Sequence, residues 1–140
     1  MKPVIAATAL VCLGAWAPAF GQSLTTPKEW AERQQSQEMA DCAVFYVMCA
    51  EYQHLRGDID NAQTSAALAS FLLDRAIDIE PEAVVMAQAK ATLSHWRAEL
   101  RKDPDSIHLL VERYGKSCWD SWKDREARLS YWLEHWHLGP

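Results

Sequence analysis

From Pro27 to Arg56 the chain carries two different hydrophobic patterns in what reads as one helical register. Residues 31–38 are polar apart from Ala31, whereas residues 43–50 are apolar almost all round. A helix that is apolar on every side is covered on every side. The pattern therefore predicts one long helix whose second half is buried among several neighbours. Its first half is expected to project into solvent or to lie across a partner. Thr26-Pro27-Lys28-Glu29 marks the start, with an N-cap hydroxyl, a proline at the first helical position and a glutamate able to reach back to the cap. Gly57 supplies a left-handed stop after Arg56.

Beyond the Gly57-Asp58 turn, Leu68, Phe71, Leu72 and Ile79 recur at helical spacing and predict a second amphipathic helix that stops before Pro81. Its stripe is narrow, and Ala62, Ala66, Ala67 and Ala69 suit close packing against another helix. Pro81 opens a third helix, with Val85, Ala89, Leu93, Trp96 and Leu100 on one face, and Asp103-Pro104 ends it. A fourth, shorter helix is expected to use Asp103 as its cap, to bury Ile107, Leu110, Val111 and Tyr114, and to stop at Gly115. The segment that follows contains Cys118 and a polar Asp120-Ser121 step. A final helix from about Asp124 carries Leu129, Trp132, Leu133 and Trp136 as its stripe.

No segment alternates as a strand does, and no signature recurs at a fixed period, which argues against a solenoid. The expected fold is all-α: a single small antiparallel or irregular bundle of about five helices, built around the first.

The N-terminus changes the picture of where this bundle works. Met1-Lys2, an apolar run from Pro3 to Phe20, small residues at Ala17, Ala19 and Gly21, and a polar stretch from Gln22 match a secretory signal peptide. Cleavage is expected after Gly21 or Ala19. Residues 1–21 are then removed, Cys12 with them, and residues 22–140 form one helical domain that is periplasmic or secreted. Nothing later is long and apolar enough to span a membrane, so the processed chain is expected to be soluble.

The whole chain has 14 basic and 19 acidic residues, a formal charge of −5, and losing Lys2 makes it −6. Lys and Arg are scattered among carboxylates and form no basic stripe. Nucleic acid and anionic membrane surfaces are therefore not expected partners.

Three cysteines remain after processing: Cys42, Cys49 and Cys118. On one helix, Cys42 and Cys49 would stand about 10 Å apart along the axis, beyond the ~7 Å limit for bridged Cα atoms. Any internal disulfide must use Cys118, with Cys42 the favoured partner over Cys49. The thiol left over is read first as a buried small hydrophobe; an intermolecular bridge or a reactive thiol is the rival reading.

Candidate chemistry is sparse. Glu51 and His54 share a helix face, which is half of a carboxylate-bridged di-iron site, but no second Glu-x-x-His exists. His135 and His137 point about 200° apart on a helix, and His95 and His108 lie beside apolar stripes. The cysteine spacings match no zinc, redox or haem motif. There is no nucleophile elbow or phosphate-cradling glycine loop. Acidic pairs such as Glu38 with Asp41, or Asp103 with Asp105, do not stand apart from ordinary surface charges and caps. No catalytic residue, metal site or cofactor is assigned.

The aromatic content is the most unusual feature. Six tryptophans follow the signal peptide, and Trp119, Trp122, Trp132 and Trp136 crowd the C-terminal end together with Tyr131. One reading puts Trp132 and Trp136 in the core and Trp119 and Trp122 over the Cys118 end. The other makes Trp119, Trp122, Tyr131, Trp132 and Trp136, with Arg125 and Arg128, a binding patch. The expectation is a noncatalytic exported binding protein with a protein partner in its own compartment, inhibitors and immunity-type proteins being one such class. A carrier or sensor of a hydrophobic small molecule is the alternative, and a thiol-redox role the weaker one.

Overall fold

A computed structural model describes residues 25–138; the expected signal peptide, residues 1–21, lies outside the described residues. Five α-helices follow one another: α1 (Pro27–Leu55), α2 (Ile59–Ile77), α3 (Glu82–Lys102), α4 (Ile107–Lys123) and α5 (Arg125–His135). Short 3₁₀ turns, Pro104–Ser106 and Trp136–Leu138, precede α4 and follow α5. Among the described residues there is no strand, and the fold is all-α as the pattern predicts.

The helix ends obey local chemistry. At α1, the Thr26 hydroxyl accepts from the Glu29 N–H at 3.1 Å while Glu29 Oε2 accepts from the Thr26 N–H at 2.9 Å. Two N–H groups that a helix terminus leaves orphaned are thereby satisfied. Gly57 has φ +78°, and an added Cβ there would meet nothing within 4 Å, so the backbone conformation alone calls for glycine. Pro81 stands at the N-cap of α3, one residue before the position expected for it. Asp124 caps α5, its Oδ1 accepting from the Ala127 N–H at 2.9 Å.

α1 is the axis of the molecule and touches all four other helices. Their directions follow from who meets whom. Ser65 near the start of α2 bonds the Gln53 amide at 2.8 Å, and the Ser36 hydroxyl donates to the Ala76 carbonyl at 3.1 Å, so α2 runs antiparallel to α1. Thr92 of α3 meets Asp41, and Arg97 meets Glu51, so α3 runs parallel to α1. Tyr114 of α4 packs on Phe45 while Cys118 reaches Cys42, so α4 runs antiparallel again. Helix α5 crosses the N-terminal half of α1, where Trp132 meets Trp30 edge to face at 6.1 Å.

The core lies on α1 from Met39 to Met48 and takes Leu72 from α2, Val85 and Trp96 from α3, and Leu110 and Cys118 from α4. In α2, Ala62, Ala69 and Ala76 are buried against α1, which lets the two backbones come close, whereas Ala66 and Ala67 are exposed.

Three expectations are corrected. The polar first half of α1 does not project freely into solvent: one face, with Ala31, Gln35 and Ser36, is buried under the end of α2 and α5, while Lys28, Arg33 and Gln37 on the other stay exposed. Its buried polar groups are held by hydrogen bonds to Arg125 and Ala76, and its exposed ones are polar because they are wet. Helix α4 does not stop at Gly115 but continues to Lys123. Among the described residues only Gly57 has a positive φ, and Leu110, Cys118 and Ser121 give α4 one continuous buried face that carries it past the glycine. Val111, expected to be buried, lies off that face and is 51% exposed.

Candidate functional site

The Cys42–Cys118 disulfide joins the middle of α1 to α4 with a Cα–Cα distance of 5.2 Å, and both residues are buried. It is the favoured pairing of the three cysteines. Cys49, two turns further along α1, is unpaired among the described residues. Burial pushes its thiol up to about 11. A thiol so protonated at neutral pH is a poor nucleophile, since the thiolate is the reactive form. Alkylation of Cys49 at pH 8 should therefore be at least about 100-fold slower in the folded protein than after denaturation, where a pKa near 8.5 returns. Equal rates in the two states, followed by mass spectrometry, would show an accessible and reactive thiol instead.

Beside the disulfide, α5 is clasped to α1 by one carboxylate. Glu38 Oε1 accepts from the Ser121 hydroxyl of α4 and from Arg128 Nε at 2.7 Å. Its other oxygen accepts from Trp132 Nε1 at 2.9 Å and from Arg128 Nε at 3.0 Å. The Glu38 and Arg128 side chains are only 11% and 15% exposed, so this ion pair is screened far less than one on the surface. One turn on, Asp41 Oδ1 accepts from Thr92 Oγ1 at 2.9 Å and from Gln88 Nε2 at 3.4 Å, both from α3. The two carboxylates thus organise opposite walls of one cleft, which has a volume of about 300 Å³ and is open to solvent between α3, α4 and α5.

The C-terminal aromatic residues separate into two groups. Trp132 and Arg128 belong to the Glu38 clasp, with the Arg128 guanidinium 4.0 Å from the Tyr131 ring and 5.5 Å from the Trp132 ring. Tyr131 in turn stacks on His135 at 4.2 Å. Trp119 and Trp122 form a separate pair on α4 at 4.9 Å, 49% and 37% exposed. Trp136 is 43% exposed and does not fill the core, because no residue of α5 is fully buried and its stripe lies along the bundle edge. Arg125 is exposed, and its carbonyl accepts from the Gln35 amide at 2.8 Å.

Other sequence candidates have local roles. Glu51 pairs with Arg97 and not with His54. His135 Nδ1 donates to the Tyr131 carbonyl at 2.7 Å, and His108 bonds the Asp105 carbonyl. Among the described residues no group of three His, Cys, Asp or Glu side chains converges as a metal site would require.

A second concavity, about 420 Å³ and mainly apolar, opens between α2 and α3, with Ala43 and Val47 of α1 as its floor and Ala69 and Leu73 of α2 and Ala89 and Leu93 of α3 as its walls. Among the described residues no helix is long and apolar enough to cross a membrane.

Glu38 and Asp41 are visible in the sequence as an acidic pair at i, i+3. Their donors are not, since Thr92, Ser121 and Arg128 lie 51, 83 and 90 residues away along the chain. No protein-family model matches the chain, and no curated protein or solved structure matches it either.

Proposed function

We propose that this chain is an exported, noncatalytic binding protein that engages another protein through the aromatic flank of α4 and α5. The observation that carries the reading is the exposed Trp119–Trp122 pair, accompanied by exposed Tyr131 on α5 and Trp136 in the turn that follows it. Fully burying one large apolar side chain contributes roughly 1.5–3 kcal/mol, so four rings that are each still 37–49% exposed keep a part of that apiece for association. Tryptophan, tyrosine and arginine are also the residue types that dominate binding hot spots.

The charge pattern favours a protein over a polyanion. Residues 107–138 carry five basic and five acidic side chains, so the flank is an aromatic surface with a balanced polar surround, as protein interfaces are. Export is supported by the N-terminal pattern of residues 1–21 and by the internal disulfide, a bond typical of oxidising compartments. An inhibitor or immunity-type protein acting on an enzyme of the same compartment fits this size and surface.

The test is capture of partners from an envelope extract by the wild-type chain and by a Trp119→Ala/Trp122→Ala variant of unchanged melting temperature. A protein retained by the first and lost by the second, with affinity reduced roughly 30-fold or more per hot-spot residue, is the expected result. Identical capture by both chains, or no specific protein with either, would sink the reading.

A second reading is favoured by the apolar groove between α2 and α3, whose volume of about 420 Å³ is within the size range of small-ligand sites. A hydrophobic carrier or sensor should gain melting temperature on adding an apolar ligand, and a flat response across lipids and aromatic compounds would remove it. Thiol-redox chemistry is the least supported, because the remaining thiol is Cys49 and it is held protonated.

A further inference from the structure

The polar cleft beside the disulfide is built differently from both the aromatic flank and the apolar groove. Its walls come from four helices: Glu38 and Asp41 from α1, Gln88 from α3, Arg113 from α4, and Arg128 and Trp132 from α5. Two carboxylates and two guanidinium groups give it no net charge. Glu38 and Arg128 neutralise one another directly, and Asp41 balances Arg113 in the sum, so net charge draws neither an anion nor a cation into the cleft.

What the cleft leaves open is hydrogen-bonding capacity of both kinds. Arg128 spends Nε on Glu38, and its two Nη groups have no partner among the described residues. The Arg113 guanidinium lies over the Tyr114 ring at 5.3 Å and likewise has no hydrogen-bond partner among them. Asp41 accepts both its bonds on Oδ1, leaving Oδ2. Gln88 commits its amide N–H to the Gln37 carbonyl and Asp41, leaving Oε1. Residues with open donors and residues with open acceptors therefore line the same space of about 300 Å³.

The geometry points to this cleft as a binding site for a neutral saccharide, one pyranose ring in size. A vicinal diol offers a group on each carbon that both donates and accepts, which is the complement of guanidinium donors facing a carboxylate and an amide oxygen. A peptide is a poorer match, because its backbone brings only one donor and one acceptor per residue. The volume is at the lower end of the roughly 300–1,000 Å³ of small-ligand sites.

The cleft is also preorganised. Asp41 is held by Thr92, Arg128 is held by Glu38, and the cleft's Cys42 is fixed by its disulfide to Cys118, so these side chains lose little freedom when a ligand enters, whereas the exposed Arg113 rests only against the Trp96 and Tyr114 rings.

The experiment is titration of the wild-type chain with maltotriose, cellotriose and tri-N-acetylchitotriose, and separately with inorganic phosphate, followed by calorimetry and tryptophan fluorescence. At least one saccharide should bind in the millimolar to tenth-millimolar range expected of a ring-sized ligand, with a change in the emission of Trp132. Arg113→Ala and Gln88→Ala replace side chains with little part in the core, so both variants should keep the wild-type melting temperature and each should weaken binding about tenfold. The Trp119→Ala/Trp122→Ala variant should bind the saccharide unchanged, which separates this site from the protein-binding flank. Silence with all three saccharides well above millimolar concentration would overturn the assignment. So would saccharide binding that neither variant weakens, or an Arg113-dependent affinity for phosphate in place of sugar.

Discussion

Replacing Cys118 with serine should lower the unfolding free energy by about 4 kcal/mol and the melting temperature by on the order of 15 °C. The bridge closes a loop of 76 residues in sequence separation, and by the chain-entropy argument the cost of leaving that loop open in the unfolded chain grows with the logarithm of its length. The native side adds to the effect. Helix α4 buries only Leu110, Cys118 and Ser121, and α5 has no fully buried residue. Beyond Leu110 and the Glu38 clasp, these two helices are held to α1 only by half-buried contacts such as Tyr114 on Phe45 and Trp132 on Trp30. Cys42→Ser should destabilise by the same amount, and the double substitution by no more than either alone, since one bond is lost in each case. Reductant should bring the wild-type melting temperature down to that of the variants. A wild-type melting temperature that is the same with and without reductant would show that the bridge contributes nothing.

Much of the fold was legible because its signals are local. Thr26, Gly57 and Asp124 act on backbone groups within four residues of themselves, so α1 and α5 begin, and α1 ends, where the chain says they should. Helix geometry gave half of the disulfide: once Cys42 and Cys49 share a helix, any bridge must use Cys118, but the choice of Cys42 over Cys49 was a preference that only the packing of α4 on α1 decides. Gly115 misled because a glycine signals a helix end only when nothing else carries the helix onward. Here Cys118 and Ser121, one and two turns further, are drawn onto α1 by the disulfide and by Glu38. Val111 misled for a related reason, as it belongs to the apolar pattern of α4 but not to the face that the disulfide turns inward.

The site was harder to read than the fold. A polar run such as residues 31–38 has the same appearance whether water or other side chains satisfy it. The deciding groups on α4 and α5 lie between 83 and 94 residues away. The tryptophans pose the same problem. Trp132 and Trp136 fall on one stripe of α5, yet only Trp132 finds a buried acceptor for its indole N–H, and Trp136 is left at the surface.

Glu38→Ala should cost about 3–4 kcal/mol, and the cost should fall on α5 more than on the rest of the bundle. The substitution removes the acceptor of three donors at once: the Ser121 hydroxyl, the Arg128 guanidinium and the Trp132 indole. Arg128, 15% exposed, is then a largely buried charge without its partner, and α5 relieves that penalty by swinging away from α1. Amide exchange over residues 125–135 should approach the rate of a frayed segment while α2 and the core half of α1 keep their protection. Trp132 emission should shift as its ring becomes wet. Replacing Glu38 and Arg128 together with methionine should recover much of the loss, because the larger part of it comes from the charge left alone and not from the pair removed. If Glu38→Ala costs less than about 1 kcal/mol, the pair behaves as an exposed salt bridge does. Packing of Trp132 against Trp30 would then be what keeps α5 on α1 and one wall of the cleft in place.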